Sequence, residues 1–315
     1  RAYAVQALSL MLGRRLDEAP ESVAERIAMV MSGGTEGGLS PHFLVLAVDE
    51  AAAPNPAGAL AIGTAFTADF APEELGRTAQ VEATAAAVRA AMDDAGITDP
   101  DAVHYVQIKC PLLTSERIAA AKARGQTVAT EDTYHSMGLS RGASALGVAL
   151  ALGEVAAVPE TAIGADWSLF SGRASTSAGV ELLRNEVIVL GNSPDWGGDL
   201  SIAHAVMRDA IDLPAIHAAL RAAGLPTEDG QVPDAARDRL VAVLAKAEPS
   251  STGLIRGRRH IMSDDSDINA TRHARALVGG VIAGAVGRTD IFVSGGAEHQ
   301  GPDGGGPVAV VARRA

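Results

Sequence analysis

Ser32-Gly33-Gly34-Thr35-Glu36, Ser177-Ala178-Gly179-Val180-Glu181 and Ser294-Gly295-Gly296-Ala297-Glu298 are three copies of one phrase, S-x-G-x-E. Each copy follows an apolar, strand-like segment and is followed by another. Upstream of each, an arginine stands twelve residues before a glycine: Arg1 and Gly13, Arg141 and Gly153, Arg275 and Gly287. A chain that repeats a serine turn and an arginine helix three times reads as three related units about one axis. An axis of that kind suits a ligand that is small and symmetric.

Working outward, two stretches rich in turn residues divide the chain, Ala51-Ala52-Ala53-Pro54-Asn55-Pro56-Ala57-Gly58 and Asn192-Ser193-Pro194-Asp195-Trp196-Gly197-Gly198. Each follows an apolar strand, Leu44 to Val48 or Val187 to Leu190. The expected units are residues 1–53, 58–193 and 199–315. The second and third share an order. A strand (Leu60 to Phe66; Leu200 to Val206) leads to an Ala-rich helix (Val81 to Ala95; Leu213 to Gly224). Next comes a strand ending in lysine, Val103 to Lys109 or Leu240 to Lys246. A variable segment, the arginine helix, a strand, the serine turn and a closing strand complete the unit. The expected class is α+β, and units this long are duplicated domains rather than solenoid repeats. In the first unit Arg1 already stands at the arginine-helix position. By comparison with the other two, roughly 50 residues bearing its opening strand, first helix and lysine strand are missing.

Bulk properties exclude several functions. At 315 residues the chain can bury a sizeable core. Aromatic residues make up only 3% and the net charge is -12, which argues against base stacking and against a phosphate-binding face, so no nucleic-acid partner is expected. No apolar run approaches the ~20 residues of a membrane span, and no leader pattern is read at the start. The single cysteine, Cys110, allows no intrachain disulfide and fits a reducing, cytoplasmic setting.

The lysines and serines carry the chemistry. Lys109 and Lys246 end equivalent apolar strands. Either alone reads as a strand-end lysine reaching into water, but their recurrence beside repeated serines favours a role. A lysine held in an apolar site near arginines has its pKa lowered by desolvation and by like charge. Neutral, it can accept a serine proton, the Ser-Lys form of nucleophilic catalysis. In the serine turns, small neighbours let a ligand approach backbone N–H groups able to hold an oxyanion. Arg141 and Arg275 are expected to open their helices, as is Arg1, and the positive helix end is a poor place for a cation. Each is therefore expected to donate to an acceptor such as a carbonyl. Cys110 reads as packing rather than as a nucleophile. The eight histidines show no zinc spacing. Ser263-Asp264-Asp265-Ser266-Asp267 lacks the rest of a calcium loop and is expected to cap the following helix. The glycine-rich run from Ala297 to Gly306 lacks a P-loop lysine, yet its carbonyls and a carboxylate suit a hard cation.

Val106-Gln107-Ile108-Lys109-Cys110-Pro111-Leu112-Leu113-Thr114, Ser140-Arg141-Gly142-Ala143-Ser144-Ala145-Leu146-Gly147 and Ser294 through Pro302 closely resemble the cyanuric acid hydrolase/barbiturase family, and the resemblance extends over the whole chain. It implies three similar repeats around a pseudo-threefold axis, a central barrel-like core of strands, a site on the axis and a homotetramer. The implied reaction is hydrolytic opening of cyanuric acid to carboxybiuret, which loses carbon dioxide to give biuret. Carried over residue by residue, the resemblance makes Ser177 the nucleophile and Lys109 its base. Arg1, Arg141 and Arg275 become substrate-binding arginines, and Ser32-Gly33, Ser177-Ala178 and Ser294-Gly295 the substrate-contacting pairs. Lys246 stands as a supporting residue. Glu248, Ala297, Gln300, Gly301, Pro302 and Gly305 match a structural divalent-cation site, for magnesium or calcium, and no organic cofactor is implied. The departure from the family pattern is the absent lysine strand of the first unit.

Other readings stay open. Barbiturase opens a similar ring, and nothing in the residues separates the two substrates. A metal-dependent cyclic amidohydrolase would need histidine-rich ligand spacing, which is not seen. A threefold binding module would need the serines only as hydrogen-bond donors and would have no use for a neutral Lys109.

Overall fold

A computed structural model describes residues 2–49 and 51–314. The helices α1 (Ala2–Leu16) and α2 (Pro20–Arg26) come first. The middle of the chain runs β1 (Ala59–Phe66), α3 (Thr78–Asp94), β2 (Val103–Cys110), α4 (Ser115–Ala123), α5 (Thr133–Ala151), β3 (Ala174–Ala178) and β4 (Glu186–Ser193). The remainder runs β5 (Leu200–Met207), α6 (Leu213–Ala222), α7 (Asp234–Arg237), β6 (Leu240–Ala247), the short hairpin β7 (Leu254–Ile255) and β8 (Arg258–Arg259), α8 (Ala270–Val286), β9 (Phe292–Gly295) and β10 (Gly306–Arg313). The class is mixed α+β. No helix among the described residues is long and apolar enough to cross a membrane.

The strands form two four-stranded sheets of the same design, in the orders β1-β4-β2-β3 and β5-β10-β6-β9. In each, two antiparallel pairings are followed by one parallel pairing, β2 with β3 and β6 with β9. Parallel neighbours need a crossover, and helices supply it: α4 and α5 in one sheet, α8 in the other.

Each sheet carries helices on one face and meets the other sheet on the opposite face. Val88 and Ala91 of α3 and Ala145 and Val148 of α5 pack with Val106 and Ile108 of β2. Ile216 of α6 and Val278 and Ile282 of α8 pack with Val243 and Ala245 of β6. Between the sheets, Tyr105 and Leu190 meet Ile202, Leu244, Ala309 and Val311. Strands covered on both faces read as continuous apolar runs, which is why β2 and β6 look so alike in sequence. Period two then puts Lys109 on the face of Tyr105, and Lys246 on the face of Ala242 and Leu244. Both lysines thus sit at the end of the seam between the sheets. The two dividing stretches lie together at the other end of the β1–β4 pair from Lys109, with Pro54 bridged to Gly197 and the Asn55 N–H donating to the Trp196 carbonyl at 2.8 Å.

Four expectations need correction. Among the described residues the strands do not close into a barrel; they make two open sheets packed face to face. The expected strand Leu44 to Val48 enters no ladder, and its neighbour Phe43 and its own Val45 are exposed. Arg141 and Arg275 lie inside their helices rather than opening them. Asp132 caps α5 by accepting from the His135 N–H at 2.7 Å, and Asn269 caps α8 by accepting from the Thr271 N–H at 3.1 Å. The acidic run at 263–267 therefore does not supply the cap of α8; its Asp265 instead binds the His273 ring at 2.8 Å. The arginine-to-glycine spacing does mark a helix end, since Gly153 follows the α5 cap and Gly287 caps α8, both with positive φ.

Candidate active site

Parallel pairing sets each lysine opposite its serine. Lys109 of β2 is in register with Ser177 of β3, and Lys246 of β6 with Ser294 of β9. Residues paired across a ladder point to the same face, so base and hydroxyl come together without any loop to position them. Lys109 Nζ lies 3.4 Å from Ser177 Oγ, and Lys246 Nζ lies 3.0 Å from Ser294 Oγ. Both lysines are fully buried.

The two amines are held alike. Lys109 donates to the Ala178 carbonyl at 3.4 Å and to the Met31 carbonyl at 3.0 Å. Lys246 donates to the Gly295 carbonyl at 3.1 Å and to the Thr176 carbonyl at 2.9 Å. In each case one acceptor follows the lysine's own serine and the other precedes the serine of a different turn. Ser32 Oγ closes the cluster 2.9 Å from Ser294 Oγ. The three serine turns, far apart in sequence, therefore meet at one place. A neutral Lys246 has two N–H groups for its two carbonyls, which leaves its lone pair toward the serine hydroxyl, whereas Lys109 also has the Glu181 carboxylate beside it.

The electrostatics differ between the pairs. Burial, reinforced by the nearby Arg141 charge, pushes Lys246 down to about 7. Lys109 instead faces a carboxylate, with Glu181 Oε1 3.3 Å from its Nζ. Glu186, paired with Lys109 in the ladder, is pushed up to about 7 by burial, although it accepts from the Met29 N–H at 3.1 Å.

Arg141 donates through Nε and Nη2 to the two oxygens of Glu298, at 2.7 and 2.6 Å. Arg275 grips Glu36 in the same bidentate way. Burial alone would favour the neutral form of Arg141, but the charge of Glu298 more than offsets this and raises the guanidinium pKa. The turn glycines make room. A Cβ on Gly296, whose φ is +78°, would lie 2.5 Å from Arg141 Nε, and one on Gly295 would lie 2.6 Å from Arg275 Nη1. Arg1 lies outside the described residues.

Among the described residues no group of three or more His, Cys, Asp or Glu side chains is placed to hold a metal ion, and of the residues matched to a cation site Glu248 is the one carboxylate. Burial and the neighbouring Glu298 push Glu248 up to about 7, and its Oε2 accepts from the Gly296 N–H at 2.7 Å. The loop after Ser294 is tightly turned, with Gln300 N donating to the Ala297 carbonyl and Gly305 N to the Pro302 carbonyl. Gly301, with φ +100°, packs against Gly306. The Gln300 side chain spans to β3, accepting from the Thr176 N–H at 2.6 Å. Glu248 thus lies near the Glu298 carboxylate and is bonded to the backbone of the turn that leads into this loop.

Reading the sequence for lysines, serines and arginines passed over Glu36, Glu181 and Glu298. Their signal was present, since a glutamate ends all three copies of the phrase. The carbonyls of Met31 and Thr176 carried no signal, because any residue provides one.

Residues 1–313 match the family model described as amidohydrolase ring-opening protein. A cyanuric acid amidohydrolase of Methylobacterium sp. (strain 4-46) is 62% identical over 316 residues, covering 100% of this chain and 84% of that protein. The crystal structure of a cyanuric acid hydrolase from A. caulinodans superposes with a TM-score of 0.88 at 56% identity, over 99% of this chain and 85% of that one. A second cyanuric acid hydrolase structure gives 0.89 at 50% identity, with the same coverage. The chain belongs to the ring-opening amidohydrolase family.

Proposed function

We propose that this protein opens cyanuric acid hydrolytically, with Ser177 as nucleophile and Lys109 as its base. The observation that carries this reading is the meeting of three serine turns around two buried Ser-Lys pairs, with two arginines held beside them. Cyanuric acid has three equivalent carbonyl and N–H edges, and a pseudo-threefold site has one arginine and one serine turn for each. The similarity to cyanuric acid amidohydrolases supports the same substrate.

In the proposed mechanism, neutral Lys109 takes the Ser177 proton as Oγ bonds to a ring carbonyl carbon. Backbone N–H groups of the turns hold the developing oxyanion. The C–N bond then breaks, and the ring nitrogen, its charge delocalised over the neighbouring carbonyls, recovers the proton from Lys109. Water, deprotonated by the same amine, displaces Ser177 and releases carboxybiuret, which loses carbon dioxide to give biuret. Two features favour Ser177 over Ser294. Its side chain is 7% rather than 1% exposed, and its hydroxyl is not shared with a second serine as that of Ser294 is with Ser32. The alternative, Ser294 with Lys246, is favoured by the shorter contact and by an amine with a pKa of about 7.

A magnesium or calcium ion at Glu248 and the carbonyls of Ala297, Gly301, Pro302 and Gly305 belongs to the same proposal. It would neutralise the Glu248 carboxylate and brace the loop behind Ser294, with no part in the bond changes. A homotetramer and a cytoplasmic location are the accompanying expectations.

The test is turnover of cyanuric and barbituric acids by wild type, Ser177→Ala and Ser294→Ala. The expected result is cyanuric acid turnover that Ser177→Ala abolishes with binding nearly intact. Substantial activity in Ser177→Ala would remove Ser177 from its role, and opening of barbituric acid alone would overturn the substrate.

A further inference from the structure

We propose that Glu298 and Glu36 are positioning residues that aim Arg141 and Arg275 at the substrate, each from a different repeat unit than the arginine it holds. This rests on the reading of the site just given. The two pairs have the same geometry. Each carboxylate takes Nε and Nη2 of its arginine side-on. Among the described residues, Nη1 of neither guanidinium is used in a hydrogen bond, so each arginine keeps a donor edge for a carbonyl. Both pairs are mostly buried, with side-chain exposures of 12% and 18% for Arg141 and Glu298, and 16% and 20% for Arg275 and Glu36.

The geometry assigns a purpose to the pairing. A lone arginine on a helix has several rotatable bonds and sweeps a wide arc, whereas a bidentate carboxylate fixes the plane of the guanidinium. The pair has no net charge, so the pocket offers directed donors without a free cation. The glutamate sits four residues after a serine that meets the others at the centre. The direction of the arginine is therefore tied to the backbone of the turn. Gly34 and Gly296 allow this closeness, since a Cβ on either would strike the pair it lies under. The units alternate in the same sense. Arg141 of the middle unit reaches the last unit, and Arg275 of the last unit reaches the first. Glu181, the third glutamate, has no hydrogen bond to its carboxylate oxygens among the described residues and faces Lys109 instead.

The experiment is steady-state kinetics on cyanuric acid for wild type, Glu298→Ala, Glu298→Gln, Arg141→Ala and the double variant Arg141→Ala/Glu298→Ala, with circular dichroism to establish folding. Glu298→Ala should raise KM ten-fold or more with a smaller change in kcat, and Glu298→Gln, which keeps one acceptor, should recover part of the loss. The double variant should be no worse than Arg141→Ala, because a residue acting only through the arginine has nothing further to lose. Multiplicative losses in the double variant, or an unchanged KM in a folded Glu298→Ala, would overturn the positioning role. Should Glu298→Ala not fold, the same comparison with Glu36 and Arg275 decides the matter. Failure of the wild type to open cyanuric acid would instead refute the function on which the inference rests, so the two failures are told apart.

Discussion

Replacing Gly296 by alanine should damage the site through one atom. The residue has φ +78°, and the new Cβ would lie 2.5 Å from Arg141 Nε and 2.6 Å from Cζ. The left-handed backbone costs a non-glycine residue about 1–2 kcal/mol. That part is shared by any exposed glycine of similar φ, such as Gly96 at +62°, where a Cβ meets nothing within 4 Å. The remainder is specific. To reach an ordinary contact of 3.4 Å the guanidinium must retreat by about 1 Å, although Glu298 holds it by bonds of 2.7 and 2.6 Å. A misplacement of about 1 Å in a positioning group costs up to ~100-fold in rate. The expected result for Gly296→Ala is a kcat/KM for cyanuric acid lowered about 10- to 100-fold, which is about 1.4–2.7 kcal/mol. Gly96→Ala should lose comparable thermal stability, a few degrees in Tm, with wild-type kinetics. Calorimetry and initial-rate assays on the two variants side by side make the comparison. Equal kinetics in the two would refute the idea that the turn backbone sets the arginine.

Two further perturbations test the electrostatics. Glu181→Gln removes the carboxylate 3.3 Å from Lys109, which favours the ammonium form, so the rising limb of the pH–rate profile should move to lower pH; an unmoved limb would count against Lys109 as the base. His104 and His204, Nδ1 to Nδ1 at 2.8 Å between the sheets, are both held down to about 4, chiefly by burial. The unfolded chain thus binds more protons than the folded one between pH 6.5 and 4, and stability is lost as pH falls through that window. Urea unfolding should show His104→Gln losing about 2 kcal/mol less than wild type between pH 6.5 and 5, and parallel losses in the two proteins would refute the assignment.

Much of the fold was legible because apolar pattern and layer position coincide. Val103 to Lys109 and Leu240 to Lys246 read as strands and are strands, since both faces are covered and nothing competes with the run of apolar residues. Leu44 to Val48 has a similar apolar pattern and forms no strand, because a strand exists only where a neighbour completes its ladder, which local sequence does not encode. The helix starts were misplaced for a local reason: Asp132 and Asn269 are ordinary caps that lie nine and six residues before the repeated arginines. Within the site, Lys109, Ser177, Lys246 and Ser294 were visible as repeated residue types. What remained hidden was the exchange between units, since nothing in a linear pattern says that Arg275 will meet Glu36, 239 residues away.

The ladder register of Lys109 with Ser177 links folding to activity. Side chains alternate faces along a strand, so a slip of β3 by one position would turn Ser177 toward the helices and set Thr176 or Ala178 across from Lys109. The same holds for Ser294 and Lys246. A slip that sets Ala178 before Lys109, or Val293 or Gly295 before Lys246, leaves the lysine without a hydroxyl, and one that sets Thr176 before Lys109 replaces the serine by a more hindered secondary hydroxyl. Each Ser-Lys pair is thus assembled in the same event that completes its sheet.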